Sequence, residues 1–206
     1  MIRRPSSTVG FALIASALLG APRESMAHDP ASPTAAPEAQ RRQVHAVFND
    51  FSLTDQAGRP FRFQTLRGKV VLLTFLYTTC SDVCPLLTAN MRALQQSLTA
   101  RERQDVYFVS VTTDPEVDTP SVLKSYADRY KVDFSDWSFL TGDQRSLEPV
   151  WKMFGVKVER VARGLINHTT LTALIDSKGV MRLVYLNAAP DPKRMLADVR
   201  GLLGQQ

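Results

Sequence analysis

Cysteine is almost missing from this chain: Cys80 and Cys84 are the only two in 206 residues. No cysteine directly follows the apolar stretch near the N-terminus, so a lipid-modified cysteine at a mature N-terminus is not expected. Long apolar runs are missing as well. Val9 to Ala21 gives thirteen residues, where a helix needs roughly 20 to cross a bilayer. Basic clusters are lacking, so the formal net charge of +5, spread along the chain, gives no support for nucleic-acid binding. Neither an internal repeat nor a low-complexity block interrupts the sequence after the first 43 residues. The methionines at Met91, Met153, Met181 and Met195 have no Met-rich copper-binding spacing and read as core or surface residues.

What is present begins with an address. Arg3 and Arg4, the apolar stretch and the small-x-small triplet Ser25-Met26-Ala27 form an export signal over residues 1–27. Cleaved export to a periplasmic location is the main expectation. An uncleaved N-terminal membrane anchor, with membrane-surface proximity, is the alternative. Cleavage after Ala27 leaves 179 of the 206 residues and lowers the net charge from +5 to +3, since Arg3, Arg4, Arg23 and Glu24 depart. That length suits one domain with a proper core. Export also bears on the cysteines, because two thiols in an oxidising compartment normally end as a disulfide. A disulfide stabilises mainly by closing a long loop, and a four-residue loop gains little. The pair therefore reads as chemistry and not as a staple.

Residues 28–47 are expected to be a flexible leader, with Pro, Ala and polar residues dominating His28 to Gln43. From Phe48 to the C-terminus the pattern becomes that of a folded domain. Phe51 to Leu53, the turn Asp55-Gln56-Ala57-Gly58 and Pro60 to Phe63 read as an N-terminal β-hairpin. Val70 to Tyr77 is an apolar run of the kind buried on both faces of a sheet. A helix from about Pro85 to Thr99, a strand Val106 to Val111, and a helix opened by Asp118-Thr119-Pro120 follow. Next come a short strand at Phe139-Leu140, a helix from Asp143 to Phe154, a hairpin of Thr170 to Ile175 with Val180 to Leu186, and a last helix capped by Asp191-Pro192. Alternating strands and helices with a terminal hairpin and helix imply an α/β domain, a mixed central sheet flanked by helices. With two cysteines after the first long strand, the order is thioredoxin-like.

The cysteines enter a helix start four residues apart, a spacing that puts both on one helical face. Amide dipoles there favour thiolate, which serves as nucleophile and as soft-metal ligand. At that spacing the Cα atoms lie about 6 Å apart, within disulfide range, so disulfide formation and metal binding exclude one another. The third candidate ligand is His168, in a loop just before the terminal hairpin, a loop that returns to face the cysteine turn in a thioredoxin-like sheet. A thioredoxin-type oxidoreductase has its cis-proline there, whereas this chain has no proline between Pro149 and Pro190. A lone histidine before a strand is more often solvent-facing than ligating; its topological place is what singles it out. Two thiolates and an imidazole suit copper or zinc. Asp114, Asp118, Thr119 and Pro120 read as turn and cap residues, Trp137 and Trp151 as packing, and Asp82 as a tuning charge or a helix-start carboxylate.

Three segments carry a resemblance. They are Thr79-Cys80-Ser81-Asp82-Val83-Cys84-Pro85, Val109-Ser110-Val111-Thr112-Thr113-Asp114-Pro115-Glu116-Val117-Asp118-Thr119-Pro120, and Asn167-His168-Thr169. In order and spacing, over nearly all of Phe48 to Leu203, the chain resembles the Sco (SenC) family. The resemblance implies a thioredoxin fold and copper held by Cys80, Cys84 and His168. It also implies a role in assembling the dinuclear copper centre of cytochrome c oxidase, by copper delivery or thiol reduction. The partner would be the copper-site subunit of an oxidase or another exported copper protein. Ser81 stands where the family commonly has proline, Asn167 where it commonly has aspartate, and the apolar stretch is shorter than the family's usual anchor.

Two other functions compete. A thiol–disulfide oxidoreductase would need only Cys80 and Cys84 as its redox pair. A peroxidase of the Pro-x-x-x-Thr-x-x-Cys type is rejected, since Leu73 and Tyr77 occupy the proline and threonine positions. Cleavage after Ala27 would also expose His28, whose amine and imidazole could together hold Cu(II).

Overall fold

The computed structural model describes residues 40–186 and 190–204; the export signal, His28 and most of the leader lie outside the described residues. Ten strands run in chain order: β1 (Arg41–Val47), β2 (Ser52–Asp55), β3 (Pro60–Arg62), β4 (Val70–Leu76), β5 (Val106–Thr112), β6 (Trp137–Thr141), β7 (Val158–Ala162), β8 (Leu165–His168), β9 (Thr172–Ile175) and β10 (Val180–Tyr185). Among the described residues, five α-helices accompany them, α1 (Val83–Ser97), α2 (Glu102–Asp105), α3 (Pro120–Arg129), α4 (Gln144–Met153) and α5 (Pro192–Leu203), with a 3-10 turn at Phe63–Leu66. Eight strands form one mixed sheet in the order β1-β10-β9-β4-β5-β6-β2-β3, and β7 and β8 form a separate two-stranded sheet. β4, β5 and β6 are parallel, while β9 joins β4 antiparallel.

β4 is central because every one of its residues is apolar or can pair internally. All seven are buried, and its side chains alternate between two cores as the pleat requires. Val70, Leu72 and Leu76 face helices α1, α3 and α5 through Leu87, Met91, Leu123, Tyr126, Met195 and Val199. Val71, Leu73 and Phe75 face α4 and an aromatic group of Phe51, Phe61, Phe63 and Phe154. Burying a leucine such as Leu72 in this way contributes on the order of 1.5–3 kcal/mol. Thr74, the one hydroxyl in the strand, donates to the Leu171 carbonyl at 3.3 Å. Both tryptophans pack as expected: Trp137 Nε1 donates to Ser110 Oγ, and Trp151 Nε1 to the Thr112 carbonyl, each at 3.0 Å.

The N-terminal hairpin is present as β2–β3, turned by Gly58 at φ +76° and by Asp55, which accepts from the Ala57 and Arg59 amides. Two expectations need correction. The leader was expected to run to residue 47, but Arg41–Val47 is an edge strand antiparallel to β10. Its sequence shows little apolar period because specific polar ties hold it: Arg41 Nε donates to Asp198 on α5 at 2.8 Å, and the Tyr185 hydroxyl donates to the same carboxylate. Charged residues on an edge strand also discourage pairing with other chains. Secondly, the segment before the terminal hairpin is not a plain loop. Residues Val158–Ala162 and Leu165–His168 form the β7–β8 hairpin, reversed at Gly164 with φ +75°.

Candidate functional site

β4 delivers the chain to the cysteines. The Leu76 carbonyl is taken by Thr113 N at 2.8 Å, which ties the strand end to the loop after β5. Tyr77 is still buried, and the backbone then turns, with Cys80 N donating to the Tyr77 carbonyl at 3.3 Å. α1 begins only at Val83, with Asp82 in the capping position and making no side-chain cap bond. The two cysteines therefore do not share a helical face. Cys84 lies in the first turn of α1 and is buried, while Cys80 lies in the preceding turn and is half-buried. The physical reason is the turn at residues 77–80, which diverts Cys80 from the helix path.

That displacement gives the sulfurs different environments. Burial works against a thiolate at Cys80, but the backbone amides of Cys84, Asp82 and Val83 and the Cys84 thiol all donate to its sulfur. The donors win, and the Cys80 thiol is held below its ordinary value. These amides are the unsatisfied N–H groups at a helix start, which carry the positive end of the dipole. Burial pushes the Cys84 thiol well up, and the neighbouring Cys80 and Asp118 charges add to it, against a backbone bond from Tyr77. One sulfur is set up to ionise and the other to keep its proton.

Tyr77 links this pair to His168. Its ring meets the imidazole edge-on, with centroids 5.8 Å apart. Burial, then the nearby Cys80 and Cys84 sulfurs, push its phenol up to about 12, against a lowering influence of the Ile166 backbone. His168 closes β8 opposite Val158 and is half-buried. Burial lowers the imidazole below its ordinary value of 6.5, and its Nδ1 is bonded to the Thr169 carbonyl at 3.0 Å. A neutral ring with its proton on Nδ1 leaves the Nε2 lone pair for another partner, the tautomer a metal-ligating histidine uses.

The structure thus brings Cys80 and Cys84 together and places His168 against the same tyrosine. Among the described residues, no three His, Cys, Asp or Glu side chains form a preassembled metal cage. The donor chemistry, two sulfurs and one neutral imidazole, fits a soft ion. His45 is exposed on the edge strand β1, three strands from β4 in the sheet order.

Sequence reasoning missed three contributors. Asp118, read as a cap, is buried, and accepts from Thr78 N at 3.2 Å, Thr78 Oγ1 and Thr112 Oγ1, so it fixes the cysteine turn. Burial raises its carboxyl above the ordinary range, against the lowering effect of those hydroxyls and the amide. The actual cap of α3 is Thr119, which accepts from Val122 N. Tyr77 reads from the sequence only as the end of an apolar run, and nothing in the sequence singles out Arg160, whose guanidinium pairs with the buried Asp114. A second acidic residue directly before a threonine cap was the available signal for Asp118, since one carboxylate or hydroxyl suffices to cap a helix.

No helix among the described residues is long and apolar enough to cross a membrane. Comparison with known proteins gives a consistent answer. The SCO1 protein homolog of Bacillus subtilis is 41% identical over 96 residues, 47% of this chain and 49% of that protein, so the match spans about half the relative's length. The solved structure of BsSco, described as having a disulfide switch and as a member of the Sco family of cytochrome c oxidase assembly proteins, is 29% identical with a TM-score of 0.68, covering 80% of this chain and 98% of that one. The copper-bound structure of Bradyrhizobium japonicum ScoI is 28% identical with a TM-score of 0.61, covering 76% and 99%. These thioredoxin-like neighbours agree with the mixed sheet and flanking helices described above. Since the SCO1/SenC family model itself matches residues 39–204, the span that contains both cysteines, Tyr77 and His168, this chain belongs to the SCO1/SenC family.

Proposed function

We propose that the chain is an exported copper-binding protein that serves the assembly of a dinuclear copper site in a cytochrome oxidase, with Cys80, Cys84 and His168 as the ligands. The observation that carries this reading is the asymmetric pair of sulfurs and an imidazole set against the same Tyr77, its Nδ1 already engaged. Soft sulfur with imidazole suits Cu(I), which accepts three ligands. The resemblance of the whole domain to Sco proteins, one of them described with copper bound, supports the same choice. Copper is cargo here, and the protein's part is to hold it with ligands that a partner's thiols can replace.

The experiment is an anaerobic Cu(I) titration of the reduced protein against a competing chelator. One copper per chain is expected. Cys80→Ser, Cys84→Ser and His168→Ala should each lower affinity by at least the roughly 10–100-fold that loss of an outer-shell partner costs. A His168→Ala protein that holds copper as tightly as the wild type would falsify the three-ligand site.

The same asymmetry favours a second reading, thiol–disulfide exchange with an exported partner. The Cys80 thiolate attacks one sulfur of a partner disulfide, forming a mixed disulfide and releasing the other as a thiolate. Cys84 then loses its proton to solvent and attacks Cys80, giving the Cys80–Cys84 disulfide and a fully reduced partner. Two electrons pass from this pair to the partner, and half-exposed Cys80 with its lowered pKa is the attacking group. Activity that survives His168→Ala but not Cys80→Ser would favour exchange over copper delivery.

A further inference from the structure

The acidic turn between β5 and α3, Asp114-Pro115-Glu116-Val117-Asp118, contributes no donor to the proposed metal set, yet it touches both halves of the site. At one end Asp118 accepts from Thr78 and Thr112 and so holds the turn that carries Cys80. At the other end Asp114 and Glu116 receive Arg160 of β7: Arg160 Nη2 lies 2.8 Å from Asp114 Oδ1, and Nε lies 3.3 Å from Glu116 Oε1. The two ends are one rigid piece. Val117 N and Asp118 N both donate to the Asp114 carbonyl, at 3.1 and 2.9 Å, and Asp114 N donates to Thr112 Oγ1 at 2.9 Å.

Arg160 is the link to the imidazole. It pairs with Ile166 across the β7–β8 hairpin, two positions along the ladder from the Val158–His168 pair. This hairpin has no strand ladder to the main sheet, so its place depends on the buried Ile166 and on side-chain ties. The Asp114 side chain is wholly buried, and its second oxygen has no hydrogen-bond partner. Lifting the hairpin would leave that carboxylate buried with its charge unmet, a strongly unfavourable state. Arginine suits the task because its planar fork reaches two carboxylates at once, which a lysine cannot do with the same geometry.

We propose that the Asp114–Asp118 turn is a yoke that sets the position of His168 relative to the two thiols, with Arg160 as the positioning residue through which it acts on the hairpin. The proposal rests on His168 being a ligand, and it adds a group of residues outside the donor set that governs whether the three donors can meet.

The test uses the full chain with Arg160→Gln, Arg160→Lys and Glu116→Gln. The double variant Asp114→Asn with Arg160→Gln removes the stranded charge should Arg160→Gln alone fail to fold. In metal-free protein, hydrogen exchange of the hairpin amides (158–168) should quicken about tenfold or more in Arg160→Gln, with β4 and β5 amides unchanged and Arg160→Lys intermediate. Cu(I) affinity should fall roughly 10–100-fold in Arg160→Gln, and not at all when the same change is made on top of His168→Ala. The reduction potential of the Cys80–Cys84 pair should stay at the wild-type value. Unchanged hairpin exchange, or an equal loss of copper affinity with and without His168, overturns the yoke. Should His168→Ala bind copper like the wild type, the ligand assignment falls, and the exchange measurement alone then decides whether the turn holds the hairpin.

Discussion

The cysteine turn and the His168 hairpin meet at Tyr77 but are built in opposite ways. The turn grows out of β4, whose seven buried residues all pair with β5 and of which Val71 to Thr74 also pair with β9, and a buried carboxylate at Asp118 fixes it. The hairpin is mostly exposed, pairs only with itself, and leaves Val161 and Leu165 about half in solvent, at 54% and 48%. It is held to the rest of the domain by the Arg160 ion pairs and by Thr79 Oγ1 donating to the Gly164 carbonyl at 2.8 Å. One half is fixed by ladders and a buried carboxylate, the other by side-chain ties at the surface.

The contrast can be broken first at Asp118. Asp118→Ala leaves the Thr78 amide and two hydroxyls without their acceptor, and should lower global stability by about 3 kcal/mol. Val161→Ala on the hairpin should stay within about 0.5 kcal/mol. Urea denaturation of both variants compares them directly, and equal losses would abolish the distinction between the halves.

A smaller effect, read by pH, sharpens the difference between the sulfurs. Alkylation of the reduced protein should modify Cys80 with a midpoint below the ordinary thiol value of 9.0, while Cys84 stays unmodified until well above it. The stability linkage has opposite signs for the two. The lowered Cys80 value contributes stability that is present above the unfolded value and lost as pH falls through the folded one. Cys84's raised value contributes stability present below the unfolded value and lost as pH rises through the folded one. His168, also lowered, acts like Cys80: stability should decline as pH drops through 6.5, and His168→Asn should flatten that decline. Peptide mapping by mass spectrometry and a stability profile against pH check these directions; first modification at Cys84 would reverse the assignment.

A small, local effect is expected at Thr79. Its hydroxyl bond to Gly164 is exposed, so Thr79→Val should cost about 0.5–1 kcal/mol. The loss should appear as faster exchange of hairpin amides, with the midpoint of global unfolding nearly unchanged.

Much of this was legible without coordinates. The apolar run of β4, the Thr119-Pro120 helix start and the Asp55–Gly58 turn are local signals, and each element stands where its residues indicate. Likewise, the three motif segments in their order and spacing carried the family resemblance, and that resemblance implied Cys80, Cys84 and His168 as a set. β1 and the β7–β8 hairpin were illegible, because both are polar strands held by distant partners, Asp198 for one and Asp114 for the other.

The sequence by itself determined which atoms are available: two sulfurs, an imidazole and a central strand to carry them. Only the tertiary structure decided their states. Placing Cys80 before the helix and not on it gave that sulfur the free amides of α1, and depth gave Cys84 the opposite tendency. The difference is one of surroundings, because a pKa, an ion pair and a tautomer are set by neighbours that folding brings in from far along the chain, and no local pattern of residues encodes them.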